Sequence, residues 1–86
     1  MSEHDLKSWP EFFEPVFSGM KRFELRKNDR KYAIGDRLRL REWEPNTQTY
    51  SGRECWRDVQ YIVDGLGPGC IEPLKGLMHG YCILGF

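Results

Sequence analysis

Gly19-Met20-Lys21-Arg22-Phe23-Glu24-Leu25-Arg26-Lys27-Asn28-Asp29-Arg30 decides how this chain is read, because a glycine that stops a helix is followed at once by alternating apolar and charged side chains. A helix ends here and a strand begins. The stretch gathers five basic side chains and two carboxylates around Phe23 and Leu25, a density of charge that suits a site better than a plain surface strand.

Upstream, Pro10 is placed to open a helix with Glu11 in its first turn, and Phe12, Phe13, Val16 and Phe17 share one helical face. Pro15 lies early enough to be tolerated, though it shortens or bends the helix. His4 to Trp9 reads as a short extended segment before it. Downstream, Asn28-Asp29-Arg30 supplies turn chemistry, and Gly35-Asp36 makes a sharp turn into a second strand. There Leu38 and Leu40 alternate with Arg37, Arg39 and Arg41. The first strand has the same half-buried pattern, with Phe23 and Leu25 set against Arg22, Glu24 and Arg26.

Beyond the turn at Glu44-Pro45-Asn46-Thr47, Trp56 to Asp64 reads as a third strand through Val59, Tyr61 and Val63. Gly65-Leu66-Gly67-Pro68-Gly69 breaks regular structure, and Leu74 to Met78 has room for one helical turn. Tyr81 to Phe86 is an apolar, β-prone terminus suited to a buried strand. Four or five strands with one helix predict an α+β, mainly β fold, curled or closed into a small barrel that hides its edges.

At 86 residues the chain predicts a single domain spanning positions 1–86. Its 14% aromatic content can supply a core, and Trp9 and Trp56 are expected there. The formal net charge of zero hides an asymmetry, because residues 21–41 hold nine Lys/Arg against three acids and the remainder is acidic to match. The basic segment can steer an anion.

Cys55, Cys70 and Cys82 are odd in number and unpaired in spacing, which points to a reducing compartment. Cys70, His79 and Cys82 lack the spacing of a zinc site, so no metal is expected. Ser18 and Ser51 have no evident His and Asp partners, and the glycine-rich segment lacks the Lys-Ser/Thr of a phosphate loop, so no cofactor is expected. With no signal peptide or membrane-spanning run, a cytoplasmic protein with no membrane partner is the expectation.

Lys21 is the first candidate, because an ammonium at the helix-to-strand junction can contact a phosphate, or act as a base if burial lowers its pKa. Glu24 and Arg26 lie two apart on one strand face, where they can recognise a base or form an internal ion pair. Arg30, Lys27 and Lys31, with Arg37, Arg39 and Arg41 about 7 Å apart along one face, are candidate phosphate contacts or a solvated polar surface. Trp43 and Tyr50 can stack a base.

The motif Gly19-x-Lys21-x-x-Glu24-x-Arg26 after an amphipathic helix resembles the signature of the ASCH domain, a branch of the PUA-like superfamily of small β-barrels. The longer pattern covers His4-x-Leu6-Lys7, Pro10-x-Phe12-Phe13, Gly35-Asp36-x-Leu38-x-Leu40-x-Glu42-Trp43 and Tyr50-x-Gly52-Arg53. It is similar to a short ASCH-related family of bacterial and phage proteins of unknown function. The resemblance implies a barrel of five or six strands with one N-terminal helix packed at its end, and a cleft that binds RNA or a modified base.

In ASCH hydrolases that deacetylate acetylcytidine, a lysine matching Lys21 works with a threonine nucleophile at the position of Glu24. This chain has a carboxylate there, so that mechanism does not carry over intact. The expected function is RNA or nucleotide binding by Lys21, Glu24, Arg26, Arg30, Arg39, Arg41, Trp43 and Tyr50. One alternative is a small hydrolase or ribonuclease, with Lys21 and Glu24 catalytic. Another is a bacterial or phage protein-interaction module whose motif is only structural. Whether there is catalysis is left open by the residues.

Overall fold

The structure, a computed structural model, describes residues 1–27, 29–64 and 81–86. Strand β1 (Glu3–Ser8) leads into helix α1 (Pro10–Phe17), followed by β2 (Phe23–Lys27), β3 (Arg37–Glu44), β4 (Thr49–Asp58), β5 (Tyr61–Asp64) and β6 (Tyr81–Gly85). The strands form two three-stranded sheets, ordered β1-β3-β4 and β2-β6-β5. β1 runs parallel to β3, and the other pairs are antiparallel. The fold is α+β and mainly β, with one short helix. Among the described residues no ladder joins the two sheets into a barrel.

Both sheets contribute to one core. Leu6, Leu38, Leu40 and Cys55 come from the first sheet and Cys82 and Leu84 from the second, with Phe13 and Val16 of α1 and Val59 completing the cluster. The alternation read in β3 holds, since Leu38 and Leu40 are buried while Arg37, Arg39 and Arg41 face outward beside the exposed side of β4.

Helix α1 starts where Pro10 allows and keeps Pro15 inside its eight residues. Gly19 ends it at φ +89°, a left-handed conformation that suits glycine. The Gly19 N–H donates to Val16 O at 3.0 Å and the Lys21 N–H to Pro15 O at 2.9 Å, satisfying carbonyls that the helix end would leave open. This turn fixes the backbone of Lys21.

The N-terminal strand is anchored by Asp36. Its Oδ1 accepts from the Ser2 N–H at 2.9 Å, and its Oδ2 accepts from the Ala33 N–H at 3.0 Å and lies 2.8 Å from His4 Nε2. His4 also meets the Tyr32 ring edge-on at 4.7 Å. The Ser2 hydrogen bond first, then those of His4 and Ala33, hold the Asp36 carboxyl down at about 2. Thus Gly35-Asp36 both turns the chain into β3 and ties β1 beside it.

Three sequence expectations are corrected. Trp56 to Asp64 is not one strand, because the chain changes sheets at Val59-Gln60. The Val59 N–H donates to Asp36 O at 2.8 Å and the Gln60 N–H to Gly85 O at 2.7 Å, so β4 ends in one sheet and β5 begins in the other. Trp9 and Trp56 are not core residues but are 48% and 42% exposed. Trp9 precedes the helix, while Trp56 lies on the outer sheet face with the Arg37 and Arg39 guanidinium groups 5.8 and 5.7 Å from its ring centroid. Finally, β2 is turned over: Glu24 is 4% exposed, whereas Phe23 and Leu25 are 43% and 52% exposed. Pairing with β6 sets this facing, because Glu24 and Arg26 lie opposite the buried Leu84 and Cys82.

Asn28, the glycine-rich break after Asp64 and the helical turn at Leu74 to Met78 lie outside the described residues, as do Cys70 and His79. No helix among the described residues is long and apolar enough to cross a membrane.

Candidate ligand-binding cleft

The inverted strand β2 forms one wall of a cleft of about 490 Å³, and the end of β1 and the start of α1 supply the rest. Lys21, Glu24 and Arg26 all line it, so the structure brings together the three residues at the centre of the sequence motif. Four cationic residues, Lys7, Lys21, Arg26 and Lys27, accompany Glu24, the single acidic residue, in the lining. This balance favours an anionic ligand.

Arg26 bridges the two sheets at the cleft. Its Nε donates to Glu24 Oε2 at 2.9 Å and its Nη2 to Lys7 O at 2.6 Å. The guanidinium geometry permits both bonds at once, and they hold the Glu24 carboxylate beside β1. Glu24 Oε1 makes no hydrogen bond among the described residues. Lys21 has no carboxylate partner there either, and its Nζ lies 5.0 and 5.6 Å from the Phe23 and Phe12 ring centroids. An ammonium near two aromatic rings is partly stabilised and still open to an anion.

Ser8, which sequence reading did not single out, also lines the cleft. It is 3% exposed, and its Oγ is buried with no hydrogen-bond partner among the described residues. An unsatisfied buried hydroxyl costs about 1–3 kcal/mol. The signal in sequence was faint, a lone serine at the end of a weakly extended segment.

Of the other candidates, Lys27 lines this cleft, while Arg30, Arg39, Arg41, Trp43 and Tyr50 lie outside it. Arg30 Nη1 donates to Asp5 O at 3.0 Å. Arg39 is held by Glu54 at 2.8 Å and Asp5 at 3.4 Å, and Arg41 lies 3.6 Å from Asp5. Arg41 also covers the Tyr50 ring at 3.7 Å, and Tyr50 meets Trp43 edge-on at 4.8 Å. Lys7 connects this outer cluster to the cleft, since its Nζ stands 4.0 Å over Trp43 while the residue itself is part of the cleft wall.

A second cleft, of about 550 Å³, lies around Met1, Ile34 and Val59 and includes none of the motif residues. Although larger, its charged lining residues Glu3, Arg37 and Asp58 give no cationic excess, so the smaller cleft is the better anion site.

The nucleophile candidates are otherwise engaged or shielded. Ser51 Oγ donates to Glu42 Oε1 at 2.6 Å, and Ser18 Oγ donates to Pro15 O at 3.2 Å. Burial pushes the Cys55 thiol up, away from the reactive thiolate.

Residues 3–86 match a family described as a domain of unknown function, DUF3850. This chain belongs to the DUF3850 family. The match includes every residue of the β2 cleft. The DUF3850 chain is also 36% identical over 61 residues to an uncharacterized 12.9 kDa protein in the GpA 3′ region of Escherichia phage P2. That similarity covers 71% of this chain and 54% of the phage protein, so the chain spans about half the length of its curated relative.

Proposed function

We propose that this DUF3850 chain is an RNA- or nucleotide-binding module whose ligand enters the β2 cleft. The observation that carries the reading is the inversion of β2, which places Glu24 and Arg26 inward and leaves Phe23 and Leu25 exposed. Such a reversal opposes the hydrophobic pattern and is expected where function outweighs local stability. Four cations and two aromatic rings at the same cleft match the phosphate and the ring of a nucleotide. The sequence's similarity to ASCH domains supports RNA as the ligand and a PUA-like barrel as the family fold.

The phosphate contacts in this reading narrow to Lys21 and Lys27, with Lys7 added, because Arg39 and Arg41 already face carboxylates. Trp43, with Lys7 above it, offers a second stacking surface beside the cleft.

Affinity for a short single-stranded RNA is expected to fall with salt. Lys21→Met is expected to weaken binding about tenfold and reduce the logarithmic salt slope by about 0.7, the value for one lost phosphate contact. Unchanged affinity and slope across a salt titration would contradict the placement of phosphate at Lys21.

A further inference from the structure

We propose that Ser8 and Glu24 select a nucleobase bearing an exocyclic amino group next to an acceptor ring nitrogen, as in adenine and cytosine. This rests on reading the cleft as a nucleotide site and adds the chemistry that selects the base. Glu24 Oε1 accepts from the amino group, and the Ser8 hydroxyl donates to the adjacent ring nitrogen.

The two groups are suited to this by what they lack. Ser8 Oγ is a buried hydroxyl without a hydrogen-bond partner among the described residues, while its register neighbour Glu42 accepts from Ser51 instead. Among the described residues, Glu24 uses Oε2 to accept from Arg26 and its Oε1 accepts no hydrogen bond. The same guanidinium reaches Lys7 O, the carbonyl of the peptide joining Lys7 to Ser8, so one side chain ties the Glu24 carboxylate to the backbone next to Ser8, and both residues line the same cleft. A planar base edge with neighbouring donor and acceptor groups satisfies both. Uracil and hypoxanthine instead turn a carbonyl oxygen toward the carboxylate and a ring N–H toward the hydroxyl, leaving two acceptors opposed in a sheltered site.

The pairing also explains why a small domain retains an unsatisfied hydroxyl: the ligand supplies the missing partner. Ser8→Ala removes that hydroxyl, so it is expected to raise thermal stability while weakening binding. A serine with only a structural role would not separate the two effects.

The test is equilibrium titration of the full chain, at one salt concentration, with two pairs of near-isosteric nucleotides. Cytidine 5′-monophosphate is compared with uridine 5′-monophosphate, and adenosine 5′-monophosphate with inosine 5′-monophosphate. The amino-bearing member of each pair is expected to bind about 10- to 100-fold more tightly. Ser8→Ala is expected to lose about fivefold in affinity for that member. Glu24→Gln, whose amide can donate to a carbonyl, is expected to erase or reverse the preference.

Equal affinities within both pairs, with binding still sensitive to Lys21→Met, would overturn the base selection and leave the nucleotide site standing. A fall in the melting temperature of Ser8→Ala would overturn the role given to its hydroxyl. No binding by any of the four nucleotides or by short RNA would overturn both readings.

Discussion

Arg26→Ala is expected to lose about 3 kcal/mol of stability and to abolish ligand binding. Glu24 is 4% exposed, and the guanidinium supplies its hydrogen bond among the described residues, so truncation leaves a buried carboxylate uncompensated. The Lys7 carbonyl loses its partner in the same step. A lysine would restore charge but not the two-directional donor geometry, so Arg26→Lys is expected to recover only part of either effect.

Stability and function separate in the double variant Glu24→Leu/Arg26→Leu. Replacing both members of a buried pair by apolar groups is often neutral or stabilising, so this protein is expected to recover most of the melting temperature while remaining unable to bind. Chemical denaturation and RNA titration of the three variants check the two effects independently. A stable Arg26→Ala protein with intact binding would mean that the pair neither orders the cleft nor meets the ligand.

Asp36→Ala is expected to cost about 3–5 kcal/mol, a large part of the stability of a domain this small. The carboxylate gathers the Ser2 and Ala33 N–H groups and the His4 ring, joining β1 to the turn before β3. Its folded pKa of about 2 lies below the ordinary value of 3.8, so the ionised form is favoured by folding. The resulting stability is complete above the unfolded pKa near 4 and is lost as pH falls through about 2.

After allowance for solvent screening, this pH-dependent part is about 1–2 kcal/mol. Asp36→Asn is expected to flatten the acid limb of the stability profile between pH 4 and about 2. Denaturation across that range in the wild type and Asp36→Asn measures the difference. An identical acid limb would show that another carboxylate carries it. Because β1 also brings Lys7 and Ser8 to the cleft, Asp36→Ala is expected to disturb the site from the far end of the strand.

The local grammar of the chain was legible where conformation follows from residue type. Pro10 and Gly19 bounded α1, and the alternation at Leu38 and Leu40 separated a buried face from an outward one. The crossing at Val59-Gln60 was hidden because residues on either side prefer extended backbone whichever sheet they join.

Charge was misleading for a related reason. A sequence window counts Arg39 and Arg41 as a basic run, but folding places Asp5 of β1 and Glu54 of β4 against them. Lys21, with no carboxylate partner among the described residues, was less conspicuous than that run. The spacing of Glu24 and Arg26 revealed their common face, but only pairing with β6 determined that this face turns inward. Ser8 could not be distinguished from any other serine until its surroundings showed a buried oxygen without a partner among the described residues.

The most direct test of the central claim is an amide NMR titration of the labelled chain with short single-stranded RNA and with adenosine and cytidine 5′-monophosphates. Saturable, salt-sensitive shifts centred on Ser8, Lys21, Glu24 and Arg26 are expected, with weaker shifts reaching Trp43 through Lys7. Saturable shifts elsewhere with those four residues unmoved, or no saturable shifts with any of these ligands, would contradict the claim.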